Sequence, residues 1–233
     1  MGIFDFLTKE GKFKTHVRRM SDAYALPEDR ETASRALDED GSPRALLALL
    51  TRFDINISSQ IKDQDEKDRL FQVLRKHGAE PLAEPVRVWL RKCRQYAWPL
   101  RLLSELEGLN AAATMVYELL AGDAGKATFE PERRKHLLVW LSEHKHPGAL
   151  AAVTPFLKDF DEEVRYAAAE VAISQEDDAA REPLLARLAD SKEESLRMKH
   201  RIAQVFRQRA WPVGELATVP DGFAVRDGLV VSV

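Results

Sequence analysis

Apolar residues in this chain recur three and four positions apart, and Gly, Pro and short polar clusters fall between the periodic segments. That period is helical. It predicts helices over Arg44–Phe53, Asp65–His77, Pro81–Lys92, Tyr96–Leu106 and Ala111–Ala121, then over Pro131–His144, Gly148–Phe160, Glu162–Ile173, Asp178–Ala189 and Glu193–Arg209. Polar loops are expected at Asp54–Lys62 and Gly122–Phe129. Met198, Ile202, Val205 and Phe206 show the spacing at i, i+4, i+7 and i+8. Pro131 suits a first turn, Asp161 a cap for the helix holding Val164, and Ser191 a cap for the next. No segment before residue 211 alternates with period two. Beyond it, Phe223–Arg226, Asp227-Gly228 and Leu229–Val233 predict a β-hairpin, because Asp-Gly accepts the positive φ of a type I′ turn. A two-stranded hairpin is marginal alone. It is expected to cap the last helices, or else to add strands to another chain.

The helical segments also repeat. A shift of 67 residues pairs Leu70, Phe71, Val73 and Leu74 with Leu137, Leu138, Trp140 and Leu141. It also pairs His77 with His144, Val86 with Val153, Trp89 with Phe156 and Leu90 with Leu157. Half that period is the length of one antiparallel helix pair with its turns.

The stretch Leu157-Lys158-Asp159-Phe160-Asp161-Glu162-Glu163-Val164-Arg165-Tyr166-Ala167-Ala168-Ala169 resembles the HEAT-repeat family. That family's first helix ends Leu-x-Asp, an acidic turn follows, and Val-Arg-x-x-Ala opens the second helix. Leu188-Ala189-Asp190 with Glu193-Glu194-Ser195-Leu196-Arg197 repeats the pattern with one extra turn residue, and Leu100-Arg101 echoes it faintly. The resemblance implies an all-α fold: a right-handed α-solenoid of about five antiparallel helix pairs over residues 29–210. Residues 1–28 then form a lead-in and residues 211–233 a tail with the hairpin. Ala167, Ala168 and Ala169 suit a close helix crossing.

Charge narrows the function. Thirty-five Lys and Arg against 38 Asp and Glu give a net charge of −3, so no global basic field draws the chain to nucleic acid. Cys93 is the single cysteine, which excludes an intramolecular disulfide and a cysteine-built zinc site. No apolar run is long enough to span a bilayer, and Asp5 interrupts the only N-terminal apolar cluster, Ile3-Phe4-Phe6-Leu7. A cytoplasmic location is expected. Residues 1–20 carry Lys9, Lys12, Lys14, Arg18 and Arg19 beside that cluster, so the segment is expected either to dock on the first repeat or to lie on an anionic membrane surface. Ser21–Asp40 is acidic and predicts a turn and a short capping helix.

Catalytic motifs are not found. Gly122-Asp123-Ala124-Gly125-Lys126 lacks the phosphate-loop spacing, no Gly-x-Ser-x-Gly occurs, and His136, His144 and His146 lack metal-ligand spacing. No metal or cofactor is expected. Arg165 and Arg197 each follow an acidic turn and are expected to reach back to its carboxylates, locking helix to helix. Pro85–Ser104 is the richest stretch: Arg87, Arg91, Lys92, Arg94 and Arg101, with Trp89, Tyr96 and Trp98, and no Asp or Glu. Arg87, Arg91 and Arg94 at i, i+4 and i+7 share one helical face, with Trp89 pointing inward. Like charges at that spacing repel. Carboxylates from Asp38–Asp40, Glu80 or Glu84 answer them, or a phosphate-bearing or acidic partner does.

The expected function is a non-enzymatic protein-interaction module or scaffold that grips an acidic partner along a concave face lined by the second helices. Arg87, Arg91, Arg94, Trp98, Arg101, Arg134, Lys199 and Arg201 are the expected contacts. HEAT-like repeats also occur in phycobilin lyases and alkylation-repair DNA glycosylases, which makes an enzyme or enzyme subunit the alternative. A peripheral membrane adaptor acting through residues 1–20 is a further one.

Overall fold

The structure, a computed structural model, describes residues 3–124, 131–214 and 219–233, with side chains from residue 9 onward. Most of the loop expected at Gly122–Phe129 therefore lies outside the described residues, as do the side chains of Ile3, Phe4, Phe6 and Leu7. The chain divides into two compact units, Met1–Met115 and Val116–Val233.

In the first unit the helices run α1 (Ile3–Met20), α2 (Pro27–Asp40), α3 (Pro43–Leu50), α4 (Gln60–Arg75), α5 (Ala79–Leu90) and α6 (Ala97–Glu107), with a 3-10 turn at Thr51–Asp54. α7 (Leu109–Asp123) holds the boundary between units. In the second unit follow α8 (Pro131–Ser142), α9 (Ala149–Val153), α10 (Glu162–Ser174), α11 (Arg181–Leu188) and α12 (Leu196–Arg209), with 3-10 turns at Thr154–Lys158 and Asp178–Ala180. Strands β1 (Phe223–Arg226) and β2 (Leu229–Ser232) close the chain. The fold is all-α with a small C-terminal hairpin, as the period implied.

Local chemistry sets the helix ends. Pro27, Pro43 and Pro131 each open a helix at a position whose amide would lack an intrahelical partner. Ser42 caps α3 by accepting from the Ala45 amide, and Asp161 caps α10 through Val164. Gly41 ends α2 in the left-handed conformation at φ 59°, and its amide returns to the Leu37 carbonyl. One expected cap is corrected: Ser195, not Ser191, caps α12, its Oγ accepting from the Met198 amide at 3.3 Å.

In the first unit the odd and even helices form two rows. α1 packs on α3 and α3 on α5, while α2 packs on α4 and α4 on α6. In the second unit α8 packs on α10 and α10 on α12. Each row buries one apolar stripe. Leu70, Phe71 and Leu74 are buried in α4, and so are Leu137, Leu138 and Leu141 one period later in α8. Val86, Trp89 and Leu90 likewise match Val153, Phe156 and Leu157, all buried. The short capping helix expected within Ser21–Asp40 is instead α2, 14 residues long and packed on α1, so the N-terminal segment supplies one more helix pair. The part of α1 whose side chains are described, from Lys9 to Met20, is docked. Met20 is buried, and the Arg44 guanidinium lies 4.1 Å from the Phe13 ring centroid while pairing with Glu10 at 3.0 Å.

β1 and β2 pair antiparallel from Phe223↔Ser232 to Arg226↔Leu229, with Asp227 at φ 51° and Gly228 at φ 72° as the type I′ pair requires. β2 packs on α12, and Val230 is buried. Cys93 is buried after α5, its thiol directed to the Leu90 carbonyl at 3.8 Å.

Candidate functional site

The basic stretch of the first unit does not form one helical face. α5 ends at Leu90, Arg91 is its C-cap, and Arg94 stands in the turn before α6. Asp54 holds that turn, its carboxylate accepting from the Arg94 amide at 3.0 Å and the Gln95 amide at 3.0 Å. Arg87 pairs with Glu107 at 2.5 Å, and Arg91 lies 3.9 Å from Glu84. Carboxylates of the same chain thus answer two of the three arginines. Trp89 is buried as expected, at 8 % exposure. Trp98 is half-buried and stacks on Phe53 with 5.6 Å between ring centroids and 4° between planes. The exposed Arg101 lies over Phe71 at 4.5 Å and over Trp98 at 5.5 Å. What remains at the surface is a basic turn, Arg91, Lys92 and Arg94, beside an arginine laid on aromatic rings.

In the second unit the expected contacts separate. Arg134 is 1 % exposed, its Nη1 donating to Asp159 at 2.6 Å and its Nη2 to the Asp123 carbonyl. It holds α8 to the turn before α10 and presents no surface to a partner. Lys199 and Arg201 lie on α12, a helix with five cations (Arg197, Lys199, Arg201, Arg207 and Arg209) and no carboxylate. Arg201 donates to both oxygens of Glu170, at 2.8 and 3.3 Å, and these bonds raise its pKa. Arg197 pairs with Glu163 at 3.0 Å and covers the Tyr166 ring at 3.8 Å. Arg207 donates to the neutral Ser232 hydroxyl, so its charge is not offset by that bond. A cleft of about 360 Å³ opens between α12 and the hairpin. Arg197, His200, Arg201 and Arg207 line it with Phe223, and no carboxylate does.

The arginine ladder exists, but with other partners than expected. Arg165 reaches forward, donating through Nε and Nη2 to Glu193 at 2.9 and 3.0 Å, while its Nη1 meets the carbonyls of Asp159 and Phe160. Arg187 donates to the same Glu193 at 2.6 Å and to Asp190 at 2.9 Å. Arg197 bridges back to Glu163 on α10, not to its own turn. The turn carboxylate Asp159 is engaged by Arg134, which is why Arg165 turns elsewhere.

A second clamp of the same kind lies in the first unit. Glu66 accepts from Arg30 at 2.8 and 2.9 Å and from Arg52 at 3.1 Å. Arg52 also donates to Asp63 at 2.8 Å, and Lys67 pairs with Asp63 at 2.7 Å and with the Asn56 amide oxygen at 2.9 Å. Arg30, Arg52, Asp63 and Lys67 are all buried. Burial alone would raise the carboxyl pKa values, but the cationic donors hold both Asp63 and Glu66 below the usual carboxylate range. Sequence reasoning passed over these groups, although a signal existed. Arg30 falls on the stripe of Ala33 and Leu37 at i, i+3 and i+7, and Asp63 and Lys67 on the stripe of Leu70 and Leu74. Charges in register with a buried stripe must be paired.

Helices packed on the next but one along the chain, in two rows in the first unit and in the row α8–α10–α12 in the second, give both units a helical-repeat arrangement. Residues 126–203, a third of the chain, match the family model described as HEAT repeats, in the region of the motif at Asp159–Ala169. Such repeats generally serve as protein-interaction or scaffold modules. No curated protein and no solved structure matches the chain. No described helix is long and apolar enough to cross a membrane.

Proposed function

We propose that the protein is a non-enzymatic interaction module that takes an acidic protein partner on the second-helix face of its C-terminal unit. One observation carries this reading: α12 has five cations and no carboxylate, and its flank forms with the hairpin a cleft lined by three arginines and a histidine. Glu163 and Glu170 fix the directions of Arg197 and Arg201, so these donors are preorganised for a carboxylate-rich segment. Phe223, in ring contact with His200 at 5.7 Å, adds an apolar wall for one side chain of that segment. The basic turn at Arg91–Arg94 and the Arg101–Trp98 stack form a second contact patch of the same sign.

The test is affinity capture from native lysate with the wild-type chain and with Lys199→Glu/Arg207→Glu. Neither residue holds the fold: Lys199 is half-exposed, and Arg207 is exposed and, among the described residues, bonded only to Ser232. A captured protein that is acidic, released by salt and lost from the variant supports the reading. Equal capture by the variant, or capture of nucleic acid alone, overturns it.

A further inference from the structure

The two glutamate clamps differ in charge balance, and the difference points outward. In the second unit Glu193, Asp190 and Glu162 surround Arg165 and Arg187, so carboxylates outnumber the arginines. In the first unit three cations, Arg30, Arg52 and Lys67, share two carboxylates, Asp63 and Glu66. That cluster keeps one excess positive charge in a site where the cations are at most 4 % exposed. Asp22 also acts on Arg30, but from an exposed, solvent-screened position. An excess charge held out of water favours an anion beside it.

The cluster floors an open cleft. Between α2 and α4 the cleft holds about 650 Å³ lined by Arg30, Arg52 and Glu66, within the range of small-molecule sites. Met20, Pro27, Leu70 and Val73 give it apolar walls, and Ser34 a hydroxyl. Among the other charged groups at its edge, Arg35 pairs with Glu31, and Asp38 bonds the His77 ring at 2.7 Å. Arg69, exposed on α4, has no ion-pair partner among the described residues and stands at the same cleft. Its charge adds to that of the floor.

We infer that the α2–α4 cleft binds a small amphipathic organic anion, its apolar body against Met20, Leu70 and Val73 and its acidic head on Arg69 above the Arg30–Arg52 floor. The inference is independent of the acidic-partner reading, which concerns other residues: none of those it names lines this cleft. Arg30 and Arg52 contribute field, not release, because Glu66, Asp63 and backbone carbonyls already engage their donors. Arg69 contributes the free donors.

Three probes separate head from body: 8-anilinonaphthalene-1-sulfonate, decanoate and inorganic phosphate. The sulfonate is expected to bind the natively folded chain saturably at one site, to be displaced by decanoate, and to be displaced only weakly by phosphate. Arg69→Ala is expected to weaken binding roughly tenfold. Ser34→Trp, which fills the cleft from α2, is expected to abolish binding, and Arg226→Ala in the hairpin to leave it unchanged. Melting curves of the four proteins confirm that each is folded. Absence of a saturable site, or equal affinity in wild type, Arg69→Ala and Ser34→Trp, overturns the inference. If phosphate competes as well as decanoate, the apolar half of the assignment fails.

Discussion

At Glu193 burial opposes ionisation and hydrogen bonds oppose burial. Desolvation alone would lift the carboxyl pKa, yet donors from Arg165, the Ser195 amide and Arg187 bring it down to about 2. The carboxylate thus ties α10, α11 and the turn before α12 at one point. Glu193→Gln keeps the shape and removes the charge, leaving two mostly buried guanidiniums facing a neutral amide. The expected loss is about 3 kcal/mol of unfolding free energy, read from the urea midpoint. A loss below about 1 kcal/mol would mean that Asp190 and solvent compensate. At this scale the sequence misled wherever two partners were on offer. Arg165 had Asp159 and Asp161 near at hand, but Asp159 is engaged by Arg134, from 25 positions back. Arg134 looked like a surface contact because its neighbours Arg133 and Lys135 are charged; only helical phase separates the buried Arg134 from them.

Element ends show the same tension. Ser191 precedes the cationic helix and has the right chemistry for a cap. The turn through residues 190–194 instead carries Glu193 inward to its two arginines, so the helix starts at Leu196 and Ser195 caps it. Tertiary pairing moved the boundary. Ser195 has two duties: its hydroxyl donates to Glu162 at 2.6 Å and accepts from the Met198 amide. Ser195→Ala is therefore expected to cost about 2 kcal/mol, at the upper end for a cap, measurable by thermal or chemical denaturation. An effect within about 0.5 kcal/mol would show that the first turn of α12 finds other acceptors. The hairpin, by contrast, was fully legible. Two adjacent residues, Asp227 and Gly228, decide a two-residue connection, and no distant group competes for them. Helix α4 begins at Gln60, five residues before the expected Asp65, because Asp63 and Lys67 follow the buried stripe despite their charge.

Across the whole molecule the 67-residue recurrence was readable because apolar burial is periodic and needs no partner chemistry. The clamps' pairings were not, since each unites residues from three elements; the pattern marks only that Arg30, Asp63 and Lys67 lie in register with buried stripes. The clamps' electrostatics predict the acid response. Glu193, Glu66 and Asp63 all have pKa values below those of the unfolded chain. Their stabilisation is complete above the unfolded values, near pH 4.5, and is lost as pH falls through the folded ones, about 2 for Glu193. For Glu193 alone it is about 3 kcal/mol. The raised pKa values of Arg30, Arg165 and Arg201 have their effect only at strongly alkaline pH. Unfolding free energy is thus expected to be level from about pH 5 to 9 and to fall steeply below about pH 4. In Glu193→Gln that acid slope should be shallower, and an unchanged slope would assign the response to other carboxylates.

The sequence holds a single thiol, and the fold seals it behind the turn that follows α5. A sulfhydryl reagent can modify the folded chain only at the moments when that corner opens, and the bulk reaction has one product. Labelling kinetics at Cys93 are therefore a built-in clock for breathing of the N-terminal unit, with no engineered reporter required.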